Sequence, residues 1–159
     1  MASDVRRIMV PVDYSEHSLH ALSYAAALAE RFSAELLILH VWDQPSYVPE
    51  TITVGPPGAA RPLGDLIREN AEKEMQEFLA RASLPRTVQS RHKLVSGEPA
   101  SAVLKCSEHE SPDLIVMGTH GRTGMKHLLL GSVAEKVVRL SAVPVITVPP
   151  PDRGKLRGS

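Results

Sequence analysis

Three glycines and a serine form the pattern best suited to chemistry in this 159-residue chain: Gly118, Gly121 and Gly131, with Ser132 directly after the last. Glycine lets a backbone turn so that successive N–H groups point into one concavity, which makes a nest for anions. Gly131 and Ser132 also stand immediately before a segment of helical period. A helix N-terminus offers unpaired N–H groups and the positive end of its dipole, so two anion-binding devices flank one loop. Within that loop Arg122 is the plausible phosphate contact. Asp13, after the first apolar run, carries a carboxylate that suits a sugar hydroxyl or a hard cation bound to phosphate; its alternative is an Asx turn closing a strand. His120 has no partner carboxylate identifiable by spacing and reads as a loop histidine rather than a general base. Lys126 and His127 are not assigned a role by their spacing.

Those residues need a scaffold, and the chain alternates short β-branched runs with longer helical segments, the pattern of βαβ units around a parallel sheet. Five strands are expected: Ile8 to Val12, Glu35 to Val41, Thr87 to Val95, Asp113 to Met117 and Pro144 to Val148. Leu36-Leu37-Ile38-Leu39 and Leu114-Ile115-Val116-Met117 are continuous apolar runs, as in central strands covered on both faces. Ser15 stands as N-cap to a helix carrying Leu19, Leu22, Ala26 and Ala29. Pro62 opens a second helix in its first turn, with Leu63, Leu66, Ile67, Ala71, Phe78, Leu79 and Ala82 as its stripe. Pro99 starts a third helix with Ala102, Val103 and Cys106 inward, and a fourth runs from Ser132 to Leu140 with Val133, Val137 and Leu140 inward. The expectation is an open, doubly wound, five-stranded parallel α/β sheet with helices on both faces, in one domain over residues 1–149. Residues 43–61, rich in Pro and Gly, read as one long irregular loop, and 150–159 as a loose tail. Ligands of such sheets bind beyond the carboxyl ends of the strands, where strand order reverses.

Bulk properties remove several classes of function. Lys plus Arg and Asp plus Glu are 18 each, so no positive field gathers nucleic acid by counterion release. The single Cys106 cannot pair within the chain, which suits a reducing compartment, and it reads as a small apolar side chain on a helix face. No apolar stretch approaches the ~20 residues of a membrane helix, and the start shows no secretory h-region. A cytoplasmic protein that contacts neither membrane nor nucleic acid is expected.

Taken together, Gly118-x2-Gly121-x9-Gly131-Ser132 resembles the phosphate and ribose motif of the ATP-binding branch of the universal stress protein family. The resemblance extends to Ile8-Met9-Val10-Pro11-Val12-Asp13-Tyr14-Ser15, to Leu39-His40-Val41, to the run from Asp113 to Arg122, to Leu130 through Val137, and to Pro144-Val145-Ile146-Thr147-Val148. It covers roughly Arg6 to Pro149, with 43–61 and the tail poorly matched. It implies a Rossmann-like, adenine nucleotide alpha hydrolase-like fold that binds ATP with Mg²⁺ or Mn²⁺. By position it implies that Pro11, Val12 and Asp13 line the adenosine side and that Val41 meets adenine through its backbone. Met117, Gly118, Gly121 and Arg122 would hold ribose and phosphate, Gly131, Ser132 and Val133 the phosphate tail, and Asp13 the metal. A homodimer through the uncharged edge strand 144–148 is implied as well, which agrees with the general hazard of bare strand edges. The function read from this is a dimeric regulatory module of the stress response. A slow ATP hydrolase and a ligand-free dimerisation scaffold are the alternatives. A Walker A pattern and a His-Ile-Gly-His type transferase signature are both lacking, and the glycine motif counts against the scaffold.

Overall fold

The computed structural model describes residues 4–42, 49, 51–120 and 130–151. Its strands are β1 (Arg7–Val12), β2 (Glu35–Trp42), β3 (Thr53–Val54), β4 (Arg61–Pro62), β5 (Ser90–Ser96), β6 (Leu114–Gly118) and β7 (Val145–Val148). The helices are α1 (Glu16–Phe32), α2 (Leu63–Ala82), α3 (Pro99–Glu110) and α4 (Ser132–Leu140). Five strands form a parallel sheet in the order β5-β2-β1-β6-β7, the α/β architecture expected from the alternation. Strand order reverses between β1 and β6, because the chain winds outward from β1 to β5 on one side and then crosses to β6 and β7 on the other.

The continuous apolar runs of β2 and β6 are explained by the two cores. Ile8 and Val10, Leu36 and Ile38, and Leu114 and Val116 face one layer together with Leu22, Met75 and Phe78 from α1 and α2. Met9, Leu37 and Leu39, and Ile115 and Met117 face the other, with Val103 and Cys106 from α3 and Val137 from α4. A central strand covered on both faces has no position at which a polar side chain meets water. Helix α1 starts where Ser15 accepts the N–H of Ser18 at 3.2 Å and ends at Ser33, whose left-handed conformation returns its N–H to the carbonyls of Ala29 and Glu30.

Four local expectations require correction. The third strand of the main sheet begins at Ser90, because residues 87–89 are still turning and the amide of Val88 is tied to Pro85 O at 3.1 Å. Pro62 is the N-cap of α2 and also pairs in β4, so the helix starts one residue later. Leu140, the last residue of α4, is 51% exposed rather than inward. The segment expected as one irregular loop carries a short antiparallel ribbon, Thr53↔Pro62 and Val54↔Arg61, which docks on α2 through the bond from Leu63 N–H to Ile52 O at 2.9 Å. Gly121, Arg122, Lys126, His127, most of 43–50 and the tail from 152 lie outside the described residues.

Candidate nucleotide-binding cleft

The ends of β1 and β6 separate for a reason written in one residue. Alternate residues of a parallel strand address alternate neighbours. Glu35 N–H donates to Arg6 O, which turns the even-numbered residues of β1 toward β2 and the odd-numbered ones toward β6. Pairing with β2 therefore continues through Val12↔His40, while pairing with β6 stops after Met9↔Ile115. The next residue to address β6 is Pro11, which has no N–H to offer. The strands part from this point, at the position where strand order reverses.

A cleft of about 290 Å³ opens there. Its walls include Pro11, Val12, Asp13, Val41, Met117, Gly118, Gly131, Ser132 and Val133, so every expected site residue among the described ones comes to one place. Ser18, Leu39, Pro99, Val103, Thr119, His120 and Ala134 also line it and were not anticipated. Pro99 and Val103 belong to α3, and which face of the sheet a crossover helix covers is not visible in its sequence. Most of the lining is aliphatic, with a few polar groups among it, the make-up of a small-molecule site.

Three helices start beside the cleft; α1 is capped by Ser15, and the ends of the other two differ. The Glu98 side chain accepts from Ala100 N–H at 3.2 Å and Ser101 N–H at 2.8 Å, closing the N-terminus of α3. Bonds from Ser101 and the nearby Lys136 ammonium, 3.2 Å away, pull this carboxyl down to about 2. Helix α4 has Gly131 as N-cap, with no side chain to accept its first amides. Among the described residues no side chain caps the first amides of α4, whose first turn carries one carboxylate, Glu135, and three of its first residues, Ser132, Val133 and Ala134, line the cavity.

The loop between β6 and α4 is closed at its base. Thr119 N–H donates to Val148 O at 3.2 Å, and Gly131 N–H to Thr119 O at 2.6 Å. Thr119 is buried, and its hydroxyl bonds His120 Nδ1 at 2.8 Å. The His120 ring lies 6.4 Å from that of His17. At Gly118 a Cβ would stand 3.4 Å from His120 O and 3.5 Å from His17 O, so this glycine keeps the floor of the cleft flat between two carbonyls.

Asp13 Oδ1 accepts the amide of Ser15 at 3.0 Å and also bonds its hydroxyl, so the Asx turn weighed for this residue is present. The turn holds the half-buried carboxylate at the cleft rim. A carboxylate accepts at about four sites, so the turn and a ligand hydroxyl are compatible. Beside it, Tyr14 takes a left-handed φ of 64°, stacks on the His40 ring at 4.0 Å and donates its hydroxyl to Ala71 O at 3.3 Å. His40, 7% exposed, donates Nδ1–H to Val12 O at 2.8 Å. This pair fixes the end of β1 and ties it to α2.

A family model for the universal stress protein family matches residues 4–149. The chain belongs to the universal stress protein family. Universal stress protein MJ0531 of Methanocaldococcus jannaschii is 34% identical over 151 residues, covering 93% of this chain and 84% of that one. The solved structure of hypothetical protein MJ0577 superposes with a TM-score of 0.69 at 28% identity, covering 92% and 97% of the two chains. A universal stress protein solved in complex with cAMP gives a TM-score of 0.63 at 23% identity, covering 92% and 98%, a likeness of fold. As a universal stress protein the chain has a matching Rossmann-like scaffold, and no described helix is long and apolar enough to cross a membrane.

Proposed function

We propose that this universal stress protein belongs to the ATP-binding branch and holds ATP in the cleft between β1 and β6. The observation that carries the reading is the uncapped N-terminus of α4, which faces the cleft beside an α3 whose own N-terminus is closed by Glu98. Phosphate is the occupant that supplies acceptors and negative charge to such an end. The adenosine moiety lies toward Pro11, Val12 and Val41, where the walls are apolar and the strand-end backbone supplies hydrogen bonds. Asp13 accepts from the ribose or holds a phosphate-bound Mg²⁺ or Mn²⁺, and Met117, Gly118, Gly121, Arg122, Gly131, Ser132 and Val133 surround the ribose and phosphates. A triphosphate held by dipoles stays strongly negative, which is the physical reason for the metal.

The module acts in the cytoplasm as a dimer whose shape or partners change with bound nucleotide. The dimer forms through β7, an edge of the sheet with no charged side chain. Thr119 N–H reaches Val148 O and Ile115 N–H reaches Pro144 O, so the even-numbered residues address β6, and the N–H and C=O of Val145 and Thr147 point outward. Val148 is only 6% exposed within the chain itself, so a twofold partner would cover Val145 and Thr147 more than Val148. The decisive experiment is to titrate purified protein with ATP calorimetrically, with magnesium and with excess EDTA, after identifying by chromatography any nucleotide released on heat denaturation. Saturable binding weakened by EDTA is expected. Absence of binding at millimolar ATP, in protein that releases no nucleotide, would remove the reading.

A further inference from the structure

The sheet has a second edge, β5, whose chemistry is opposite to that of β7. Leu36 N–H donates to Gln89 O and Gly97 N–H to Trp42 O, so the odd-numbered residues from 89 to 97 address β2. The N–H and C=O groups of His92, Leu94 and Ser96 consequently point away from the sheet, and no described strand pairs with them. Along this edge runs a groove of about 680 Å³, with α2 on one face and α3 on the other.

The groove is bordered by basic side chains. On the α2 side stands Arg68, with His92 bonded to Glu72 at 2.7 Å; on the α3 side stand Lys105 and His109, with Lys93 bonded to Glu110 at 2.8 Å. Among the described residues Glu72 is the only carboxylate in its lining, and the neighbouring Glu110 is shared between Lys93 and Arg91. No described carboxylate forms an ion pair with Arg68 or Lys105. In sequence the strand reads Ser-Arg-His-Lys-Leu-Val-Ser, and its Arg91 and Lys93 are already paired with Glu35 and Glu110. Arg68 and Lys105, which have no such partner among the described residues, attract a strand of the opposite sign.

The geometry points to a binding site for an extended acidic peptide segment of a partner protein, which adds to β5 as a sixth strand. Main-chain bonds to His92, Leu94 and Ser96 would supply affinity, and Arg68 and Lys105, one on each face, would read neighbouring acidic side chains, which point to opposite faces. This site lies beyond β2 from the nucleotide cleft and shares none of its residues, so its test does not depend on ATP.

The test uses the full chain and a fluorescein-labelled peptide of two Glu-Glu-Val-Val repeats, whose neighbouring acids face opposite ways, with the same peptide carrying Lys for Glu (the Lys-Val peptide) and a thymidine octanucleotide as controls. The acidic peptide should bind in low salt, weaken at least tenfold between 50 and 300 mM salt, and slow amide exchange at His92, Leu94 and Ser96. Arg68→Glu with Lys105→Glu should reduce its affinity at least tenfold, with thermal unfolding unchanged. His92→Pro should do the same, since it removes an outward N–H without touching the bonds to β2. No binding at millimolar peptide, equal binding of the Lys-Val peptide, tighter binding of the oligonucleotide, or binding without protection of those three amides would each overturn the assignment.

Discussion

Replacing Gly131 by Asp should raise the stability of the protein and remove its nucleotide binding, two effects of opposite sign from one side chain. Gly131 sits at φ −69° and ψ 165°, an extended conformation open to any residue and the usual one for a helix N-cap. An aspartate there would accept the amides of α4 that have no side-chain partner, as Glu98 does for α3. Relative to glycine the cap is worth a few tenths of a kcal/mol, and the charge on the helix dipole adds about 0.3–1 kcal/mol. The same carboxylate would occupy the position proposed for phosphate. Two unit charges about 4 Å apart repel by about 4 kcal/mol at an effective dielectric of about 20, which is roughly a thousandfold in affinity. Gly131→Asn is the control, because it caps without charge and should weaken ATP far less. Urea unfolding gives the stability and calorimetric titration with magnesium-ATP the affinity. An aspartate variant that binds ATP within threefold of wild type would refute the placement of phosphate at α4. A variant less stable than wild type would refute the account of an uncapped helix end.

Pro11→Ala restores the N–H that lets β1 keep pairing with β6; it should leave the protein as stable or more stable and weaken ATP several-fold by narrowing the cleft, and unchanged affinity would show that the proline does not open the site. Thr147→Pro removes an outward N–H of β7 while sparing its bonds to β6, so it should convert a dimer to a monomer by light scattering; a dimer that survives places the interface elsewhere. Acid should unfold the protein partly through Glu110, whose carboxyl is held down at about 2 by bonds from Lys93 and Arg91. A carboxyl depressed on folding contributes stability above its unfolded value near 4.3 and loses it as pH falls toward 2; this amounts to about 3 kcal/mol unscreened and about half of that with solvent contact. Glu110→Gln should therefore cost about 1–2 kcal/mol at pH 7 and nothing at pH 2, and a constant difference across that range would dismiss the linkage.

The sequence by itself determined the order and type of the main elements, because period and apolarity are local properties. The doubled apolar runs of β2 and β6 needed two cores to cover them, and Ser15 and Pro99 marked helix starts by their own chemistry. It also grouped Gly118, Gly131 and Ser132 through the resemblance of their spacing to a family motif, since each alone suits an ordinary βα turn or helix start, and the fold brings the three to one cleft. Tertiary structure alone decided what pairing and packing control. The role of Pro11 depends on which neighbour odd-numbered residues of β1 address, and that register is set by contacts with strands far away in the chain. Pro99 and Val103 entered the cleft because α3 crosses on the same face as α4, a choice made by the handedness of the crossovers rather than by any residue in α3. The weight of Gly131 rests on a contrast between two helix ends that fold to neighbouring places, one closed by Glu98 and one open. The groove on β5 arises in the same way, since Arg68, Lys93 and Lys105 lie on three separate elements and become one surface only when α2 and α3 pack on opposite faces of an edge strand.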